Sequence, residues 1–151
     1  ALQQMNYHQA VYNRGLAFLN LGRFDEARAW FNRALDMEPK YPHALCGIGI
    51  SYERQENCTE AVSYYQQSTE IDPSYTIAWN NLGWVHYLMK DYAKARSYYQ
   101  KFIQVGGEFP DWVERAKDML NTIDHEETPA TANKQAEKTN VSTGKVLENC
   151  Q

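Results

Sequence analysis

The chain has 151 residues, 43% of them hydrophobic, with four tryptophans, eleven tyrosines and five phenylalanines, enough apolar mass for one domain of ordinary size. Acidic residues outnumber basic ones 19 to 15 with no run of Lys or Arg, and binding to nucleic acid or anionic membrane leans on clustered positive charge, so neither is an expected partner. An apolar stretch near 18 residues and a signal-peptide pattern are both missing, so direct membrane insertion is not expected and a soluble, cytoplasmic protein is, with the proviso that an upstream targeting sequence could precede Ala1.

A step of 34 residues organises the chain. Gly15, Gly49 and Gly83 keep it, as do Ala27, Ala61 and Ala95, then Phe31, Tyr65 and Tyr99, then Tyr7, Tyr41, Tyr75 and Phe109. Residues 1–7 read as a short lead-in; Met5 and Tyr7 keep the repeat phase, as a remnant of an upstream repeat would. Repeat 1 (8–41) predicts helices over 8–21 and 24–37, repeat 2 (42–75) over 42–55 and 58–71, and repeat 3 (76–109) over 76–89 and 92–105, from apolar residues at i, i+3, i+4 and i+7. Gly22, Gln55-Glu56-Asn57, Pro39, Pro73 and Gly106-Gly107 supply the breaks, because proline cannot continue a helix and glycine accepts a left-handed cap. Residues 110–127 carry Trp112, Val113, Ala116, Met119, Leu120 and Ile123 at helical spacing with a charged opposite side, which predicts a capping helix. Residues 128–151 hold no aromatic and few aliphatics, too little apolar area to offset ordering entropy, and read as a flexible tail.

Glycine in the middle of a helix costs up to about 1 kcal/mol against alanine unless something needs the space. Gly15, Gly49 and Gly83 sit there, and on each second helix an alanine is followed four residues later by Phe31, Tyr65 or Tyr99 on the same face. A close helix crossing at Gly and Ala, walled by the ring, is the expectation.

Trp79, Leu82, Gly83, Ala95, Tyr99 and Phe102, with Gly15, Phe18, Ala27, Phe31, Ala34 and Pro39 and with Leu45, Gly49, Tyr52, Ala61, Tyr65 and Pro73, follow the pattern W-x2-L-G-x2-Y, A-x3-F, A, P. Over roughly residues 8–107 the chain resembles the tetratricopeptide repeat family. Arg14, in place of an apolar residue, and His86, in place of tyrosine, depart from the pattern. The resemblance implies an all-α fold, a right-handed superhelical stack of antiparallel helix pairs (an α-solenoid), and a protein–protein interaction adaptor rather than an enzyme.

Two stripes follow on the helix over 76–89. Trp79, Leu82, Gly83 and His86 match the family's packing positions and should be buried, whereas Ile77, Asn80, Asn81 and Trp84 match positions that line the concave surface of such arrays. Stepping back by 34 and 68 residues gives His43, Cys46, Gly47 and Ile50, then Gln9, Tyr12, Asn13 and Leu16. Apolar side chains there suit peptide side chains, and amides suit an extended peptide backbone. Trp84 has a second reading, packing against the capping helix, and Gly47 reads as space or as flexibility. The basic and asparagine residues with which some family members clamp acidic chaperone tails are replaced by Tyr12, Leu16, Gly47, Ile77 and Asn81, so a free acidic carboxylate is not the expected ligand of this groove.

His8, His43, His86 and His125 show no metal-ligand spacing, and no phosphate loop or nucleophile elbow occurs, so no metal, cofactor or catalytic residue is expected. Cys46, Cys58 and Cys150 form an odd set without a C-x-x-C pair, which suits free thiols in a reducing compartment. The expected partner is another protein or peptide that docks an apolar-anchored segment or helix in the groove. The alternatives are a scaffold that self-associates as a homo-oligomer and, more weakly, a small chaperone for secreted or membrane-inserting segments.

Overall fold

In the computed structural model the backbone is described for residues 2–127 and 150, with side chains from Tyr7 onward. Among these residues the chain is all α-helical: α1 (Leu2–Asn20), α2 (Phe24–Met37), α3 (Pro42–Arg54), α4 (Cys58–Ile71), α5 (Thr76–Leu88), α6 (Tyr92–Val105) and α7 (Pro110–Glu127). A first compact unit runs through Ala78 and a second starts at Trp79. The helix bounds lie within a residue of those read from periodicity, except that α1 starts at Leu2 rather than at residue 8. Nothing between Leu2 and Asn20 breaks a helix before Gly15, and Leu, Gln and Met are good helix formers. The flexible-tail expectation falls outside the described residues, apart from Cys150, which is buried. Cys58 and Cys150 are disulfide-bonded and Cys46 is a free cysteine, so the expectation of free thiols holds for Cys46 alone. The lack of a C-x-x-C pair does not show which cysteines are oxidised.

The turn after each first helix is built the same way. Gly22 (φ 74°), Glu56 (φ 62°) and Lys90 (φ 61°) occupy equivalent left-handed positions. At each, the next residue's amide reaches back five positions, Arg23 to Phe18, Asn57 to Tyr52 and Asp91 to His86, all at 2.9 Å. The left-handed residue's own amide bonds three back, to Leu19, Glu53 and Tyr87. This is the Schellman closure, which satisfies carbonyls that a helix end otherwise leaves orphaned. The following residue then caps the next helix: Asn57 Oδ1 accepts from the Glu60 amide, and Asp91 Oδ1 from the Lys94 amide. Glutamate and lysine carry a Cβ into a region that disfavours it by about 1 kcal/mol or more. Glu56→Gly is therefore expected to raise the unfolding free energy by roughly 0.5–1 kcal/mol in a urea titration, the gain reduced by glycine's greater freedom in the unfolded chain.

The core of each helix pair is set by ring against glycine. A Cβ built on Gly15 would stand 2.5 Å from Phe31, one on Gly49 2.5 Å from Tyr65, and one on Gly83 2.8 Å from Tyr99. Ala27, Ala61 and Ala95 are fully buried on the facing helices. In the first unit Val11, Leu19, Phe31, Ala34, Ala44 and Ile48 join this core; in the second Phe102, Ala116 and Ile123 close it against α7. The α7 helix is also tied to α6 by Arg96, which pairs with Asp124 at 2.9 Å and with Glu127.

His86 is 4% exposed, with neither ring nitrogen hydrogen-bonded among the described residues. It stacks on Tyr98 at 5.2 Å, and Asp91 stands 3.8 Å from Nδ1, beyond hydrogen-bond reach. Burial lowers its pKa, with Asp91 opposing and Lys94 adding to the fall. The folded state thus binds this proton less readily than the unfolded chain, so the contribution is full above the unfolded value near 6.5 and is lost as pH falls through the lower folded value. His86→Phe is expected to flatten the loss of thermal stability between about pH 7 and pH 5, measured by melting in a buffer series.

Candidate functional site

In the first unit the middle of α1, the start of α3 with the residue before it, and the residue before α5 bring rings together. Tyr12 lies 5.6 Å from Phe31, 5.4 Å from Tyr41 and 5.9 Å from His43, centroid to centroid. Tyr41 stacks on His43 at 5.0 Å and meets His8 edge-on at 4.9 Å, and His43 lies 4.5 Å from Tyr75. Edge-to-face and offset arrangements at these distances are mutually attractive and rigid. Gln9 and Asn13, one turn apart on α1, are exposed beside the rings; His43 is exposed, while Tyr12, Leu16, Ile50 and Ile77 are half-buried.

Burial favours the uncharged forms of Tyr12, Tyr41, Tyr75 and His43. It raises Tyr12 to about 12, with Tyr41 and Cys46 adding, and raises Tyr41 and Tyr75 as well. It lowers His43, against the opposing charge of Asp72. The surface is therefore neutral near pH 7: phenols that donate, amides that donate and accept, and apolar ring faces between them.

Two residues expected in this surface are not open to it. Cys46 is 2% exposed; its thiol donates to Ser68 Oγ at 3.3 Å, and Ser68 donates to the Pro42 carbonyl at 3.1 Å. Burial raises that thiol to about 12, against the Ser68 hydrogen bond, so it is no nucleophile at neutral pH. Gly47 is buried too, and a Cβ there would stand 2.7 Å from the Phe31 ring. Its role is space: Phe31 is held between Gly15 and Gly47. Helical stepping places these residues in the right column but cannot show that a ring from the neighbouring helix fills it.

Asn80, Asn81 and Trp84 belong to the second unit. Trp84 is 38% exposed, stacks on Tyr87 at 5.7 Å, and lines with Asn80, Tyr99, Arg115 and Met119 a cavity of about 380 Å³ between α5 and α7. Trp84 thus shares an open cavity with residues of α7. Trp112, 40% exposed, lines an adjoining cavity of about 200 Å³ with Asn80 and Arg115. The Asn81 amide nitrogen is buried without a hydrogen-bond partner among the described residues. On the packing stripe Leu82, Gly83 and His86 are buried, whereas Trp79 is half-buried, its ring 6.1 Å from Tyr98 and under Lys101.

Tyr41 and Tyr75 are the residues that sequence reasoning left out of the site. Their spacing of 34 marked them as repeat phase, and that column was itself the signal. Each sits one residue before its helix, Tyr41 before α3 and Tyr75 before α5, so no helical wheel includes them.

A tetratricopeptide repeat model matches residues 7–74 and 44–108, more than half of the chain. The chain belongs to the tetratricopeptide repeat family. Among solved structures, this tetratricopeptide repeat chain is similar to the Sgt2 TPR domain from Aspergillus fumigatus (23% identity over 81% of this chain and 84% of that one, TM-score 0.67). It is also similar to the type III secretion chaperone SycD of Yersinia enterocolitica in complex with a peptide of the translocator YopD (15% identity, 80% and 94% covered, TM-score 0.73). A third is pilF of Pseudomonas aeruginosa (21% identity, 91% of this chain but 61% of that one, TM-score 0.76). At such identities the likeness is one of fold. No curated protein matches the chain.

Proposed function

We propose that this tetratricopeptide repeat chain is a protein-interaction adaptor that captures an extended, apolar-anchored segment of another protein. The observation that carries the reading is the neutral ring-and-amide surface of the first unit, where Tyr12, Tyr41 and His43 are packed into fixed positions beside exposed Gln9 and Asn13. Fixed rings give contact area at little entropic cost, and paired amides match the donors and acceptors of a peptide backbone. Family membership supports the class of function, and the YopD peptide on SycD shows that a similar fold accepts a peptide. In the second unit, the cavity beside Trp84 and Met119 suits one bulky apolar side chain.

The test is a selection of short displayed peptides on the whole chain. Recovered binders are expected to be rich in apolar residues, to lose affinity by about tenfold or more in Tyr12→Ala/Asn13→Ala, and to respond weakly to salt, because no charge is engaged. Retention of full affinity in that folded double variant would remove this surface from the function. Sedimentation over a wide concentration range separates the adaptor from a self-associating scaffold, which must oligomerise.

A further inference from the structure

Arg14 is the residue that the repeat pattern does not account for. In the next two copies the same column holds Ile48, 1% exposed, and Leu82, fully buried. In the first copy it is an exposed arginine. Its guanidinium lies 4.9 Å from the centroid of Trp30, and the guanidinium of Arg33 lies 5.2 Å from the same ring. Both arginines line one cavity of about 250 Å³ together with Tyr7, Ala10, Val11 and Trp30. Tyr7 is 53% exposed there, and Val11 is buried beside it.

The charge in this cavity is unbalanced. Arg23, Arg28 and Arg96 pair with carboxylates, and Arg54 donates to the Leu19 carbonyl. Arg14 and Arg33 have no carboxylate partner among the described residues and meet only the face of an indole. An indole face attracts a guanidinium but leaves its N–H groups free around the ring edge. Two such forks beside one cavity form a receptor for planar oxyanions, since guanidinium and carboxylate match in bidentate geometry. The chain as a whole is net acidic, at −4, so two guanidinium groups converging on one indole and one cavity run against its overall charge.

We infer that this cavity, formed by α1 and α2, is a second docking site that takes acidic side chains of a partner peptide, the carboxylates on Arg14 and Arg33 and the adjoining apolar stem on Trp30. It is independent of the Tyr12 surface, from which it differs in ligand charge and in the residues used.

Peptide selection on the whole chain at low salt is expected to yield, beside the apolar binders, a class rich in Asp and Glu. A synthetic peptide of that class should weaken about tenfold or more in Arg14→Gln/Arg33→Gln, and similarly when NaCl rises from about 50 mM to about 500 mM. It should bind unchanged to Tyr12→Ala/Asn13→Ala, so failure here and failure of the adaptor surface are told apart. On the unaltered chain, the bound peptide should shield Arg14 and Arg33 from an arginine-selective dicarbonyl reagent while Arg115 stays reactive, which needs no variant to fold. Failure to recover an acidic class, equal affinity in Arg14→Gln/Arg33→Gln, or equal labelling of Arg14 and Arg33 with and without peptide overturns the assignment. So does concentration-dependent dimerisation that the same variant abolishes, which would make a second copy the occupant.

Discussion

Phe31→Ala is expected to lower the unfolding free energy by about 3–5 kcal/mol, the range for removing a buried phenyl ring from a packed core. Phe31 is fully buried, and its ring fills the space left on two helices at once, by Gly15 on α1 and by Gly47 on α3. Neither glycine can extend a side chain into the void, and closure would need both helices to move toward α2. The cost therefore belongs at the upper end of the range. Chemical denaturation monitored by circular dichroism measures it, and a loss under about 1 kcal/mol would show that the helices collapse onto the gap. The same geometry predicts coupling. Gly15→Ala, which sets a Cβ 2.5 Å from the ring, should be destabilising alone and nearly neutral in a Phe31→Leu background, where the ring edge is gone.

Gly49→Leu carries the second large effect, a loss of about 1–3 kcal/mol and in this position more. A Cβ at Gly49 already falls 2.5 Å from Cε1 of Tyr65. Tyr65 cannot swing clear: it is fully buried, and its hydroxyl donates to Glu53 Oε1 at 2.9 Å. Moving the ring breaks that hydrogen bond inside the first unit, and leaving it in place forces α3 away from α4. Gly22 is the control, because nothing lies within 4 Å of a Cβ there and only its φ of +74° opposes substitution. Gly22→Ala should cost about 1 kcal/mol, from backbone strain alone. Melting of Gly49→Leu beside Gly22→Ala separates overpacking from strain, and similar losses in the two would refute the crossing.

Periodicity made the helices and their stops legible because local chemistry decides them. Pro42 and Pro110 open α3 and α7, Asn57 and Asp91 cap α4 and α6, and apolar residues at helical spacing fill the interior. Glu56 and Lys90 fall in left-handed positions through their place after a helix, against their own preference, so only Gly22 of the three was readable by type. The columns of the candidate site were legible, but the exposure of their members was not. Gln9 and Asn13 are exposed and Tyr12 is half-buried, whereas Cys46 and Gly47, read into the same surface, are covered by Ser68 and by Phe31.

The amino-acid sequence by itself determined the seven helices of the described residues, the 34-residue step and the pairing of each mid-helix glycine with an aromatic ring, since these depend on residue spacing and short-range sterics. Tertiary structure alone decided that Gly47 is room for Phe31, that Tyr41 and Tyr75 join Tyr12 in one ring cluster, that Trp84 opens onto a cavity beside α7, and that Arg14 and Arg33 meet over Trp30. The reason is that a helix fixes the direction in which each side chain leaves it, but what that side chain meets is set by a neighbour tens of residues away, whose approach depends on the volumes of both.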